Sequence, residues 1–287
     1  MKTIRFQQST GSELLDQLQR YFGGNINKNK LIFDNNKVNG EVTFYKVFDG
    51  MELLTFDINH NSDIEFIIES IENQDDKQMI IRFEYSSSLI SDIVEKKNIE
   101  TNGMYIHSAN IPFVLKSKPS DSTKWLSIRL TKSYVEKYLE ETEKILSQTF
   151  STEKTWVIYD IIPVEIQLLL HSIFTIPDSV SIPLRKGVIF GKSIEALGVL
   201  FDRVLSREVP NENDGIGLHS DDYKVMISIK DYLLENLHKQ ISLEEICEKF
   251  YVSNSKLRRD FKKVFGTGVK QFVINTKLEQ AKYTLIN

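Results

Sequence analysis

The sequence predicts an α+β chain in two parts: an antiparallel β-barrel or sandwich with trailing helices, then a small all-α module. Three observations carry this. Between about residues 29 and 130, short runs rich in β-branched and aromatic residues alternate with polar clusters. After Thr131 the apolar residues recur at helical spacing instead. From about Asp221 onward, short amphipathic stretches follow one another, two of them opened by a serine in a capping position. At 287 residues the chain is also too long for one small core.

The elements follow in order. Leu14, Leu15, Leu18 and Phe22 recur as on a helix, which predicts one from Gly11 to Phe22. Strands are expected at 41–48, 51–58, 64–71, 79–85 and 125–130, separated by clusters such as Asn59–Asp63 and Asn73–Lys77. Tyr134, Val135, Tyr138, Leu139, Ile145 and Leu146 fit an amphipathic helix broken near Glu140 to Glu143. Further helices are expected from Pro163 to Ile173 and, after the Pro177/Pro183 break, from Leu184 to Leu205. The last of these carries a broad apolar face, Ile189, Ile194, Leu197, Leu200, Phe201 and Leu205, suited either to packing on the sheet or to pairing two copies of the chain. The polar, glycine-bearing stretch 207–218 reads as a linker. It divides a body, 1–206 (sheet about 29–130, helices about 131–206), from a terminal module, 219–287.

Composition narrows the function. Hydrophobic content of 41% and charged content of 26% are ordinary for a globular protein, and no run approaches the ~18 apolar residues of a membrane span. The first residues lack the apolar region of a signal peptide, and the single cysteine, Cys247, fits a reducing compartment; a cytoplasmic protein is expected. Net charge is −4, unevenly spread. Nine Lys and Arg between Lys249 and Lys282 face only Asp260 and Glu279, so that segment is +7 and the rest of the chain −11. Such a distribution focuses polyanion binding on one end. Nucleophile-elbow, phosphate-loop and dinucleotide glycine motifs are absent, so no catalysis and no cofactor are expected. Trp125, Tyr105, Phe44 and Phe56 are candidates to line a ligand pocket, although aromatic residues on strands more often form plain core.

The terminal module carries the strongest signal. A helix from Asp222 to about Asn236 buries Ile229, Tyr232, Leu233 and Leu237. Ser242, with Glu245 three residues on, forms a capping box for a short helix that turns Leu243, Ile246 and Phe250 inward, with Cys247 as a small core residue beside them. Tyr251 and Val252 make the turn, and Ser253 caps the next helix, in which Leu257, Phe261, Val264 and Phe265 face inward and Gly266 ends the run. Asn254, Ser255, Lys256, Arg258, Arg259, Lys262 and Lys263 are left outward. Asn254, Ser255, Arg258 and Arg259, in the leading half, are placed to read base edges; Lys256, Lys262 and Lys263 are placed to meet phosphate. A last helix from Lys270 to Leu285 is expected to bury Phe272, Val273, Leu278, Ala281 and Leu285.

From Ile241 to Leu285 these residues resemble the first half of the DNA-binding domain of the AraC/XylS family of bacterial transcription regulators. The pattern stands as Ser242-Leu243-x-x-Ile246-Cys247, Ser253-x-x-x-Leu257-x-Arg259-x-Phe261-Lys262, Gly266, and Lys277-Leu278-x-x-Ala281-x-x-Thr284-Leu285. Cys247 replaces the usual alanine, Gly268-Val269 the usual Ser-Pro, and Lys277 the usual arginine. The resemblance implies double-stranded DNA as partner, a cupin-like N-terminal barrel that binds a small-molecule effector or mediates homodimerisation, and a second helix-turn-helix beyond the linker helix. This chain stops at Asn287, as a truncated product or as a variant that needs dimerisation to bind. Two further readings stand beside it. One is a dimerisation or ligand-binding protein whose incomplete module does not bind DNA alone. The other is a metal-dependent cupin enzyme, for which only His60 with Glu65 and His107 with Asn110 are on offer, at poor spacing; no metal site is expected.

Overall fold

The computed structural model describes residues 2–7, 9, 11–62, 64–69, 78–85, 103–108, 113–117, 122–139, 157–205 and 220–286. Strand β1 (Lys2–Gln7) leads into helix α1 (Gly11–Phe22), and the strands β2 (Asn25–Asn27), β3 (Lys30–Asp34), β4 (Val38–Phe48), β5 (Met51–His60), β6 (Ile64–Glu69), β7 (Gln78–Tyr85), β8 (Gly103–Ser108), β9 (Phe113–Ser117) and β10 (Ser122–Thr131) follow. Helix α2 (Lys132–Tyr138), strand β11 (Val157–Ile161), and helices α3 (Val164–Phe174) and α4 (Ile182–Leu205) complete the body. Four helices come last: α5 (Ser220–Glu235), α6 (Leu243–Phe250), α7 (Asn254–Phe265) and α8 (Val269–Ile286).

The α+β class stands, but the sheet is open. Eight strands lie in the order β11-β8-β7-β10-β5-β4-β3-β2, every neighbouring pair antiparallel, with no pairing between the two ends among the described residues. A separate three-stranded sheet sets β6 between β1, which runs parallel to it, and β9. The expected barrel or sandwich therefore becomes one broad sheet and one small one. β4 and β5 approach closely at Gly40, where φ is +128° and a Cβ would sit 2.1 Å from the Asp57 carbonyl oxygen; only glycine fits there.

The broad sheet buries both faces, and alternation assigns them. Met79, Ile81, Phe83, Tyr85, Met104, Ile106, Leu126, Ile128 and Leu130 point to one side, beneath α3 and α4. On the other side, β1 and α1 cover the β3–β5 end through Ile4, Phe6, Leu14, Leu15, Leu18 and Phe22. The terminal helices cover the β8–β11 end of that same side through Tyr105, Tyr159 and Ile161. A strip of β7, β8 and β10 between these two covers holds Ile80, Arg82, His107, Ser127 and Arg129.

Several helices depart from the sequence expectation. α4 begins at Ile182, so Pro183 lies in its first turn, where a missing N–H costs nothing. Its buried stripe is Ile189, Ala196, Leu197, Leu200, Phe201 and Val204, whereas Ile182, Leu184 and Ile194 are exposed. In α8, Phe272 is buried as expected and Val273 is partly so, but Leu278 is 55% and Leu285 87% exposed, and Ala281 is exposed as well. The inward positions are Val269, Phe272 and Thr276. One turn on, the Glu279 side chain is sheltered at 12% exposure, so Leu278 and Ala281 are rotated out to solvent. The continuation of α2 past Leu139 and the 207–218 stretch lie outside the described residues. No helix among the described residues is long and apolar enough to cross a membrane.

Candidate nucleic-acid interface

Two short helices, α6 and α7, meet at a turn whose backbone is set by local hydrogen bonds. Ser242 is extended (φ −81°, ψ 158°) and its Oγ accepts from the Glu245 amide at 3.1 Å, so the cap forms. The Glu245 carboxylate, however, accepts from the Tyr232 hydroxyl of α5 at 2.5 Å, tying α6 sideways to its neighbour. Tyr251 ends α6 in the left-handed region (φ 53°, ψ 43°) and is 96% exposed. Val252 donates back to the Cys247 carbonyl at 3.1 Å, and the Ser253 Oγ then accepts from the Lys256 amide at 3.3 Å to open α7. Gly266 closes α7 at φ 69°.

α7 is braced from behind by its apolar side. Leu257, Phe261, Val264 and Phe265 are buried, as the spacing predicts. Phe265 meets Phe261 (4.3 Å between ring centroids), Phe272 of α8 (5.3 Å) and Tyr159 of β11 (5.3 Å). The helix is thus held against the body as well as against its own neighbours.

Its other side is open. Asn254, Ser255, Arg258, Arg259 and Lys262 are exposed, while Lys256 and Lys263 are half-buried. Arg258 Nε donates to Asn254 Oδ1 at 2.6 Å, one turn back, so these two side chains form a single polar unit. Asp260, one of only two acids in the basic segment, is fully buried. Its carboxylate accepts from Arg259 Nε at 2.8 Å and pairs with Lys256 Nζ at 3.3 Å, while the Arg259 side chain stays 68% exposed. Lys256 also reaches Asp222 of α5 at 2.7 Å, and that hydrogen bond, outweighing slight burial, raises its pKa. The sequence-predicted residues therefore do share one face, but Lys256 is engaged by two carboxylates whereas Arg258, Arg259 and Lys262 stand outward. A 12-residue helix is ~18 Å long, and its width with side chains suits the DNA major groove.

A second feature lies in the body, between the β1/α1 cover and the broad sheet. A cavity of about 90 Å³ is walled by apolar groups including Phe6, Leu18, Phe33 and Ile58, and by Phe56 and Trp125, stacked at 4.2 Å. Of the aromatic residues expected to line a pocket, Trp125 and Phe56 do so; Tyr105 packs against the terminal helices, and Phe44 joins the core beneath α1. His60 and His107 are buried in the cavity wall, whereas the Glu65 side chain and Asn110 lie outside the described residues. Two arginines also face the cavity, Arg82 and Arg129, which sequence reasoning did not single out. The available signal was a cation at an inward position of an apolar strand, as in Met79-Ile-Ile-Arg82-Phe and Leu126-Ser-Ile-Arg129-Leu. Burial lowers the pKa of both, that of Arg129 to about 10.

The cavity strip adjoins the terminal helices. Arg82 stands opposite Ser127 on one side and Tyr105 on the other, and Tyr105 stands opposite Tyr159. Lys230 of α5 is buried over these two rings, its Nζ 3.2 Å from the Tyr105 hydroxyl, 2.9 Å from Asp231, and 4.8 Å from the Tyr159 ring centre. Burial works against the ammonium, but Tyr159, Asp231 and Glu84 outweigh it and hold the pKa above its ordinary value.

No family model and no curated protein matches the chain. Among solved structures it is similar to ToxT from Vibrio cholerae, with 11% identity over 82% of this chain and 83% of that one, at a TM-score of 0.25. A structure of ToxT from the same organism bound to (E)-4-(8-methylnaphthalen-1-yl)but-3-enoic acid is 9% identical over 79% of this chain and 99% of that one, at a TM-score of 0.28. An unsaturated-fatty-acid-bound ToxT is 10% identical over 84% and 82%, also at a TM-score of 0.28.

Proposed function

We propose that this chain is a sequence-specific transcription regulator of the AraC type. In this reading the helix-turn-helix formed by α6 and α7 engages double-stranded DNA, and residues 1–206 control it by binding a small-molecule effector or by homodimerisation. A linker at 207–218 would join that body to the module at 219–287, in a cytoplasmic protein with no catalytic role. The observation that carries the reading is the outward face of α7: Arg258, Arg259 and Lys262 exposed on a helix whose back is buried. The sole acid within that helix, Asp260, is buried beneath the face and so subtracts little from it. Asn254, Ser255, Arg258 and Arg259 are assigned to base edges, and Lys262 and Lys263 to phosphate, with Lys256 as a secondary phosphate contact.

A second reading draws on a specific observation: Leu278 and Leu285 of α8 are exposed, as are Ile182, Leu184 and Ile194 of α4. These apolar surfaces suit pairing with another protein, as expected of a dimerisation or ligand-binding protein that does not engage DNA alone. Selection of bound duplexes from a random pool, followed by anisotropy titrations at rising salt, separates the two. A regulator should enrich a motif and lose affinity with salt, with a log–log slope of about −0.9 for each phosphate met. Failure to enrich any motif, with no binding at low salt, would leave the second reading in place.

A further inference from the structure

We infer that the outward face of α8 is a docking surface for an acidic amphipathic helix of a different protein, seated in coiled-coil fashion along Ile274, Leu278, Ala281 and Leu285. The inference needs no DNA and stands apart from the regulator reading. Of the pairing reading it keeps the apolar contact at α8, but it replaces a second copy of the chain with an acidic partner.

Packing fixes which side of α8 faces out. Val269, Phe272 and Thr276 point inward, with the Glu279 side chain sheltered one turn on. Phe272 meets Phe261 and Phe265 of α7 at 5.4 and 5.3 Å between ring centroids, and Thr276 Oγ1 donates to the Phe272 carbonyl at 2.9 Å. On the opposite side Ile274, Leu278, Ala281 and Leu285 are all exposed. Their steps of four, three and four residues are those of successive d, a, d and a positions of a heptad, and the row runs about 17 Å along the helix. Single exposed apolar side chains are ordinary on a protein surface, but an aligned row of them marks a place of contact.

The residues beside the row select the partner. With Leu278 at an a position, Lys270 and Lys277 take g positions, and Asn275 and Lys282 take e positions. The three lysines are exposed, and the one acid of α8, Glu279, is turned inward, where it accepts from Lys282 Nζ at 3.1 Å. A second copy would therefore meet like charge in either orientation. A parallel pair sets Lys277 against Lys282, and an antiparallel pair lays the Lys270 and Lys277 flank along itself. Flanking charges of this kind choose partners of opposite sign, so the helix that fits carries apolar residues at its own a and d positions and Asp or Glu beside them. The row is also narrow, whereas a helix lying in a membrane surface presents a broad apolar face. DNA phosphates, for their part, offer aliphatic side chains no contact.

The test titrates the full chain into a labelled three-heptad peptide with leucine at a and d and glutamate at e and g, followed by fluorescence anisotropy. Its controls are a twin with lysine at e and g and a scrambled peptide of the glutamate composition. The glutamate peptide should bind saturably at one site, at least about tenfold tighter than either control. Leu278→Gln combined with Leu285→Gln should abolish that binding and leave the melting temperature in place, because both side chains are exposed. Lys270→Glu combined with Lys277→Glu should turn the preference toward the lysine twin. Equal binding of the glutamate and scrambled peptides would reduce the effect to attraction by the basic segment at large and overturn the proposal. No binding, or an affinity unchanged in the double glutamine variant, would overturn it as well. Sedimentation of the chain alone and flotation with phosphatidylcholine–phosphatidylglycerol vesicles complete the test. A self-association or a vesicle binding that the double glutamine variant loses would give the face to a second copy or to a membrane, and either outcome sinks the proposal. Leu278 and Leu285 lie off α7, so the same variant should bind duplex DNA as the wild type does. Peptide binding without DNA binding sinks only the regulator reading, and DNA binding without peptide binding sinks only this one.

Discussion

At the scale of single residues, the exposed face of α7 divides by the partners its side chains already have. Arg258 is steered by Asn254 and Arg259 by the buried Asp260, so each guanidinium is aimed by a neighbour on its own helix. An aimed arginine is suited to forking onto guanine, with discrimination of roughly 1–3 kcal/mol per base pair read. Lys262 is exposed on the same face, near the helix's end, and under the proposed reading a lysine there would meet phosphate without reading sequence. Arg258→Ala and Arg259→Ala should therefore flatten the preference between cognate and scrambled duplexes by about 10- to 100-fold each. Lys262→Ala should weaken both duplexes alike and reduce the salt slope by about one. Anisotropy on the two duplexes at several salt concentrations checks this, and a uniform loss for all three variants would mean that the reading residues are misassigned. The outward set was legible from spacing, since 257, 261, 264 and 265 leave no other side for the cations. That Lys256 would be held by Asp222 was not, because the two are 34 positions apart on different helices.

At the scale of elements, caps and turns set the angle at which α7 leaves α6, and here one residue is strained. Tyr251 adopts left-handed backbone, where an L side chain costs about 1–2 kcal/mol, and its ring is 96% exposed, so no packing offsets that cost. Tyr251→Gly should raise stability by about 1 kcal/mol, and Ser253→Ala should lower it by about 1 kcal/mol through loss of the cap on α7. Chemical denaturation of both variants tests the pair; a loss on Tyr251→Gly would contradict the strain. Helix starts were legible for the same reason that these substitutions matter: Ser242 and Ser253 announce themselves by type and position. α1 was read to its bounds because four apolar residues repeat cleanly within it. β11 was missed, being five residues long with one face against α3 and α4 and the other against the terminal helices, so no alternation shows. The outward turn of Leu278 and Leu285 was illegible too, since α8 is sheltered along Glu279, a position that pattern-reading assigns to solvent.

At the scale of the whole molecule, the terminal helices and the sheet share a core. Tyr159 is fully buried where β11 meets α7 and α8, with Phe265 at 5.3 Å and Phe272 at 6.2 Å, and Lys230 of α5 lies over the same ring. β11 is an end strand of the broad sheet, and in the absence of those helices its outer face would expose Tyr159 and Ile161 to water. Removing a large buried aromatic side chain costs roughly 3–5 kcal/mol, and here the loss falls on the seam between the two layers. The wild-type chain should therefore unfold in one thermal transition, and Tyr159→Ala should split it, with the terminal helices melting first. Ile128→Ala, equally buried but on the α3/α4 side of the sheet, should lower the melting temperature without splitting the transition. Calorimetry of the three proteins distinguishes these outcomes: a single transition in Tyr159→Ala would mean that the shared core does not couple the layers.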